Sequence, residues 1–167
     1  MDAYQSIMTR RSVRSYKKEM PPKNLVMKVV DAGRHAPSGM NTQKWHFTVV
    51  MNKEKIKEIS DYVLGKGKSI CYDAPVFIMV SYEKDDFFSR EDTSCALVNM
   101  MQAANALGLG SVWINAINRN DEKASNMTAF SVPSGYRVYG CLALGYPDGE
   151  VRERDVKPQS ETVSIIE

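Results

Sequence analysis

The chain has 167 residues, 43% of them apolar and 25% charged, and its 22 Lys and Arg nearly balance 20 Asp and Glu to leave a net charge of +2. That length fits one compact domain with a sizeable core, and the composition is that of a soluble globular protein. The balanced charge argues against a dedicated nucleic-acid binder, and three scattered cysteines with two histidines argue against a disulfide framework or a zinc site.

Residues 1–16 lack the apolar core of a secretory leader, and no run reaches the length of a membrane span. A reducing cytoplasm is the expected setting. Residues 2–9 read as a short helix in which Tyr4, Ile7 and Met8 share a face. Arg10-Arg11-Ser12-Val13-Arg14 follows, placing three guanidiniums and a hydroxyl within five residues. Arginine offers a planar fork of donors that matches phosphate oxygens. Such a cluster is either a phosphate clamp or a solvated basic turn, and these residues alone do not choose.

After a connector ending in Pro21-Pro22, residues 23–35 read as a helix with Leu25, Val29 and Ala32 in register, flanked by Val26 and Val30. Pro22 suits its first turn, and Gly33 weakens its end or lets another element pack closely. Residues 36–45, APSGMNTQKW, form a loop rich in hydrogen-bonding groups, and 46–50 a strand. Asn52 caps a helix whose apolar face is Ile56, Ile59 and Val63. Gly65-Lys66-Gly67-Lys68-Ser69 is a flexible turn rather than a nucleotide loop. Tyr62 stands where a P-loop needs glycine, and the segment follows a helix. Lys66 and Lys68 remain candidates for a secondary phosphate or substrate contact.

Val76 to Ser81 is an apolar run that fits a strand buried on both faces. A charged connector from Glu83 to Asp92 leads to the strongest helix, about 92–107, with Ala96, Leu97, Met100, Met101 and Ala104 in register and Gly108 ending it. Gly108-Leu109-Gly110 lacks a third glycine and follows a helix, so it is a turn into a strand at 111–114 and no dinucleotide fingerprint. A short helix is expected within 118–130, and a last strand from Tyr136 to Leu144. The tail, 148–167, carries Arg152, Arg154 and Lys157. Its Val163-Ser164-Ile165-Ile166 alternation suits an arm that extends a sheet edge, including that of another subunit.

Four segments together resemble the nitroreductase family of FMN-dependent oxidoreductases. They are Arg10–Arg14, Ala36–Phe47, Ala106–Ile114 and the Leu144-Gly145-Tyr146-Pro147 turn. The resemblance runs from about residue 4 to the tail, in a short form without long inserted helices. It implies an α+β fold, a three-layer α/β/α sandwich in which a mixed, mainly antiparallel sheet is flanked by helices. It implies one FMN-binding domain over 1–167, working as a homodimer that exchanges arms formed by about 148–167. By matching positions, Arg10 and Ser12 would hold the FMN phosphate, with Arg11 and either Arg152 or Arg154. Arg14 would face the pyrimidine edge of the ring. Pro37, Ser38, Gly39 and Asn41 would lie along the ring from the other subunit, and the backbone at Ile114-Asn115 would present an amide to N5.

These residue types suit that chemistry. A phosphate wants guanidinium partners, and a fixed cation at the pyrimidine edge raises the flavin potential. The expected activity is ping-pong reduction of nitroaromatic, quinone or similar acceptors at the expense of NADH or NADPH. No catalytic side chain or metal is expected beyond the flavin, and neither nucleic acid nor membrane is expected as a partner. The alternatives are reductive dehalogenation or flavin fragmentation on the same fold, or a non-enzymatic FMN-binding dimer. The chain departs from the family pattern at Lys44, where proline is common, and at 66–70 and 115–131, which carry no diagnostic contacts. These departures bear on the substrate pocket more than on the flavin site.

Overall fold

A computed structural model describes residues 1–151 and 153–167. The first helix, α1 (Ala3–Thr9), opens on a capping box: Asp2 accepts from the Gln5 amide and the Gln5 side chain returns to the Asp2 amide. Its only buried residue is Ser6, whose Oγ donates to the Gln102 carbonyl at 2.7 Å. Tyr4, Ile7 and Met8 therefore face away from the core. Helix α2 (Lys23–Arg34) has Pro22 as its N-cap, one position before the expected first turn, and buries Val26, Val29, Val30 and Gly33. Gly33 is where α2 meets the long helix α4 (Ser89–Ala106): an added Cβ would lie 2.8 Å from Met100 Cγ. Between them, Asn52 caps α3 (Lys53–Leu64) by accepting from the Lys55 amide.

Helix α4 begins at Ser89, so the charged connector is shorter than the sequence suggests. It ends at Ala106, and just beyond it Gly108, with φ of 77°, permits a bond from the Leu109 amide to the Ala104 carbonyl at 2.8 Å. Four strands, β1 (Trp45–Val50), β2 (Val76–Glu83), β3 (Gly110–Ile114) and β4 (Tyr136–Gly145), pair antiparallel in the order β1-β2-β4-β3. One parallel bridge, Ser12 to Ser111, completes the mixed pattern. β2 is buried from Val76 to Tyr82 because helices cover both faces. Phe77 and Met79 pack with Ile56 and Ile59 of α3 on one side. Val76, Ile78 and Val80 pack with α2 and α4 on the other, giving three layers.

Residues 118–130 do not form one helix. A 3-10 turn at Ala116–Arg119, the short α5 (Asp121–Ser125) and a second 3-10 turn at Thr128–Phe130 replace it. Asn120 causes the break: its backbone is extended and its side chain caps α5 through the Lys123 amide. In the tail, α6 (Gln159–Thr162) lies where the sequence suggests only an extended arm. Val163, Ile165 and Ile166 pair with no strand among the described residues and are exposed.

Candidate functional site

The Arg10–Arg14 segment is laid along the free edge of β3. The Val13 amide donates to the Ser111 carbonyl at 3.0 Å, and Val13 packs over Gly110, where an added Cβ would lie 2.8 Å from its side chain. Alternation then buries Val13 and turns Ser12 and Arg14 to the surface. Two further bonds, Lys17 amide to Tyr146 carbonyl and Asp148 amide to Ser15 carbonyl, draw the chain beyond Tyr146 across the same face. Tyr16 pins the segment: its hydroxyl donates to the Val13 carbonyl at 2.6 Å, and burial pushes the phenol up from its ordinary value.

The result is a cleft of about 580 Å³ lined by Arg10, Arg11, Ser12, Arg14 and Arg154, with Asp148 and Glu150 also present. Among the described residues, none of these four arginines is in a salt bridge. Arg10 Nη1 and Arg11 Nε are buried and have no hydrogen-bond partner among the described residues. Burial, then the neighbouring Arg154 and Arg11 charges, push the Arg10 guanidinium below its ordinary value. Two buried, unanswered donors beside massed positive charge fit an anion such as a phosphate monoester. Arg11 also serves the backbone, since its Nη1 donates to the Met8 and Arg10 carbonyls, both at 2.9 Å, and closes the end of α1. Arg152 lies outside the described residues, whereas Arg154 reaches the cleft.

Arg14 points along the surface, its guanidinium 5.9 Å from the centre of the Tyr72 ring. Tyr72 belongs to a second cleft of about 450 Å³ that includes Ile114, Asn115, Asn118, Arg119 and Ser69. Lys66 and Lys68 line neither cleft. A network missed in the sequence holds Asn115. Asn118 Nδ2 donates to Asn115 Oδ1 at 2.7 Å and to the Tyr139 carbonyl at 2.6 Å. Asn118 Oδ1 accepts from Arg137 Nη1, and Arg137 Nε donates to Asp121 at 2.6 Å. The buried Arg137 also stacks on Tyr139, the extra residue of a bulge where β4 slips against β2. That hydrogen bond and charge hold the Asp121 carboxyl below the usual range.

Pro37, Ser38, Gly39 and Asn41 line neither cleft. They precede β1, at the opposite edge of the sheet from β3, about 14 Å away by strand spacing. The chain therefore brings together Arg10, Arg11, Ser12, Arg14 and Arg154, sets Ile114 and Asn115 alongside, and leaves the 37–41 loop apart. That loop is held by Asp92, also missed: the Gly39 amide donates to Asp92 Oδ1 at 2.9 Å, and the Tyr82 hydroxyl to Oδ2 at 2.6 Å. The signal was available. Asp92 shares a four-residue spacing with Ala96, Met100 and Ala104, so a carboxylate heads a buried helical stripe. His46 is a half-buried strand residue set edge-on to Tyr136.

The Nitroreductase family model matches residues 7–70 and 64–146, which is most of the chain. The chain belongs to the nitroreductase family. It is 36% identical over 160 residues to a candidate NADH dehydrogenase/NAD(P)H nitroreductase of Methanothermobacter thermautotrophicus, covering 93% of this chain and 83% of that protein. It is 30% identical to an iodotyrosine deiodinase of Thermotoga neapolitana, covering 98% and 95%. Among solved structures, a nitroreductase with bound FMN from Bacteroides fragilis superposes over 100% of both chains with a TM-score of 0.91 at 32% identity. The nitroreductase fold thus accounts for the β1-β2-β4-β3 sheet and its two helical layers.

Proposed function

We propose that the chain is an FMN-dependent oxidoreductase that uses NADH or NADPH to reduce nitroaromatic, quinone or similar small acceptors. The observation that carries this reading is the cleft in which Arg10 and Arg11 bury donors that have no partner among the described residues. Arg10, Ser12 and Arg154 would bind the FMN phosphate, with Arg11 Nε as a further donor. Arg14 would set a fixed cation at the pyrimidine edge of the ring, favouring extra negative charge there. The backbone of Ile114-Asn115 would offer an amide to N5, and Asn118 keeps that turn in place. When bound, FMN supplies the ring that takes a hydride from the nicotinamide and passes one to the acceptor. A single cleft serving donor and acceptor in turn predicts ping-pong kinetics.

The protein is further proposed to work as a homodimer. Residues 1–167 form one FMN-binding domain, and the 148–167 arm is exchanged between protomers. Pro37, Ser38, Gly39 and Asn41 then complete the flavin site of the partner subunit. Their distance from the arginine cleft within one protomer supports this. Among the described residues no helix is long and apolar enough to cross a membrane, and Cys71, Cys95 and Cys141 are free thiols. Both fit a reducing cytoplasm as the place of work.

The test is the visible spectrum of the purified protein, followed by anaerobic titration with NADH and NADPH. Bound flavin bleached by one donor is expected; a colourless protein that FMN cannot reconstitute overturns the reading. A second reading, reductive dehalogenation, is favoured by the similarity to an iodotyrosine deiodinase across nearly the whole of both chains. Halide release from an iodinated phenol by the reduced protein, with no turnover of a nitroaromatic, would select it.

A further inference from the structure

The loop from Pro37 through Gln43 holds three of the seven non-glycine residues with positive φ among the described residues. Met40, Asn41 and Gln43 have φ of 52°, 55° and 50°, in the left-handed region that side chains rarely adopt. Its own bonds are local, such as Asn41 amide to Ser38 carbonyl, Thr42 amide to Gly39 carbonyl and Gln43 amide to Ser38 Oγ. These shape the loop without tying it to the body.

The tie is made at Gly39. Its amide donates to Asp92 Oδ1, while Asp92 Oδ2 accepts from the Tyr82 hydroxyl, which lies 3.1 Å from Thr42 Oγ1. Beneath Gly39 sits the Phe88 ring, so close that an added Cβ would lie 2.3 Å from its Cγ. Asp92 is 3% exposed and Tyr82 fully buried, and Asp92 is in no salt bridge among the described residues. A carboxylate is a costly brace for a core unless its hydrogen bonds are strong and complete. Here it sits in the first turn of α4, where the helix's free amides favour negative charge. Its bonds are charge-assisted and short, which suits a contact that must fix position and not merely fill space.

We propose that Asp92 is a positioning residue: through the Gly39 amide it fixes the shape and reach of the Pro37–Asn41 loop, and so the grip of that loop on the flavin. This rests on the FMN reading above. Tyr82 keeps the Asp92 carboxylate aimed. Lys44, bonded to Asp86 and Glu83, braces the far end of the loop against the segment that carries Phe88.

The test compares the FMN-loaded protein with its Asp92→Ala, Asp92→Asn, Tyr82→Phe and Gly39→Ala variants. FMN affinity and NADH KM and kcat are measured, together with the melting temperature of the FMN-free forms. Asp92→Ala is expected to raise the FMN dissociation constant at least about tenfold. Asp92→Asn, whose Oδ1 still accepts from the Gly39 amide, restores affinity to within about threefold. Because Gly39→Ala disturbs the same contact, the Gly39→Ala/Asp92→Ala pair should exceed the larger single effect by less than about twofold. A lower melting temperature with FMN affinity and KM unchanged would show a purely structural brace and overturn the proposal. If Asp92→Ala does not fold, Tyr82→Phe and Gly39→Ala decide: weaker FMN binding in both supports the proposal, and natural affinity in both overturns it. Failure of the FMN reading looks different, since the unaltered protein then takes up no FMN, and this proposal falls with it.

Discussion

Arg10 and Arg14 lie four residues apart on one extended segment, yet their surroundings differ, and so should the effects of removing them. Arg10 is half-buried with an unanswered Nη1, depressed by burial and by the Arg154 and Arg11 charges. Losing a charge-assisted bond there should cost about 1.5–3 kcal/mol, so Arg10→Ala is expected to raise the FMN dissociation constant roughly tenfold to hundredfold in a fluorescence titration. Arg14 is exposed beside Tyr72. Arg14→Ala is expected to keep FMN affinity within about threefold but to lower the flavin midpoint potential in a dye-equilibration measurement. Equal loss of affinity in both variants without a change in potential would show that the two arginines do not divide the work. That Arg10, Arg11, Ser12 and Arg14 share one cleft was legible in the sequence, because they are near neighbours on one extended segment. The second task of Arg11 was not: its bonds to the Met8 and Arg10 carbonyls exist because α1 stops at Thr9 and leaves carbonyls open, which residue identity alone does not announce.

At the scale of elements, strands and long helices followed from apolar pattern, because β2 and α4 bury nearly every residue the pattern marks. The region 118–130 did not, since polar side chains there make specific bonds instead of filling a core. The same distinction hid Asn118 and Arg137, whose roles depend on a bulge between β2 and β4. Two predictions belong here. Gly110 lets the Arg10–Arg14 segment lie against β3; Gly110→Ala should drive Val13 away, costing about 1–3 kcal/mol of stability by overpacking. Thermal melting and FMN titration should both shift, whereas a melt unchanged with normal FMN binding would show that the segment is not seated on Gly110. The Asp121 carboxyl is held low by Arg137, so its contribution is fully present above the unfolded carboxylate value near pH ~4 and is lost as pH falls through the depressed folded value. Asp121→Asn should therefore flatten the acid limb of the stability–pH curve and leave its neutral-to-alkaline shape alone. An acid limb of unchanged slope would remove Asp121 from the account.

For the whole molecule, the apolar surface is the telling quantity. Tyr4, Ile7 and Met8 on α1 and Val98 on α4 are 71%, 56%, 56% and 46% exposed, and Val163, Ile165 and Ile166 lie open in the tail. Exposed apolar side chains on two helices and an apolar arm left open in a single chain are what a partner would cover. Sedimentation is thus expected to give a species of twice 18.8 kDa. The arm has two proposed roles, clasping the partner and bringing Arg154 to the phosphate, and they can be separated. Arg154→Ala should leave the dimer intact and weaken FMN binding roughly tenfold, since one cationic partner of the phosphate is gone. Truncation after Glu150 removes Arg154 together with Val163, Ile165 and Ile166, and should yield monomers that no longer hold FMN. A truncated chain that remains dimeric would move the interface to α1 and α4 alone. Full FMN retention in both variants would assign the phosphate to Arg10, Arg11 and Ser12, with no share for the arm.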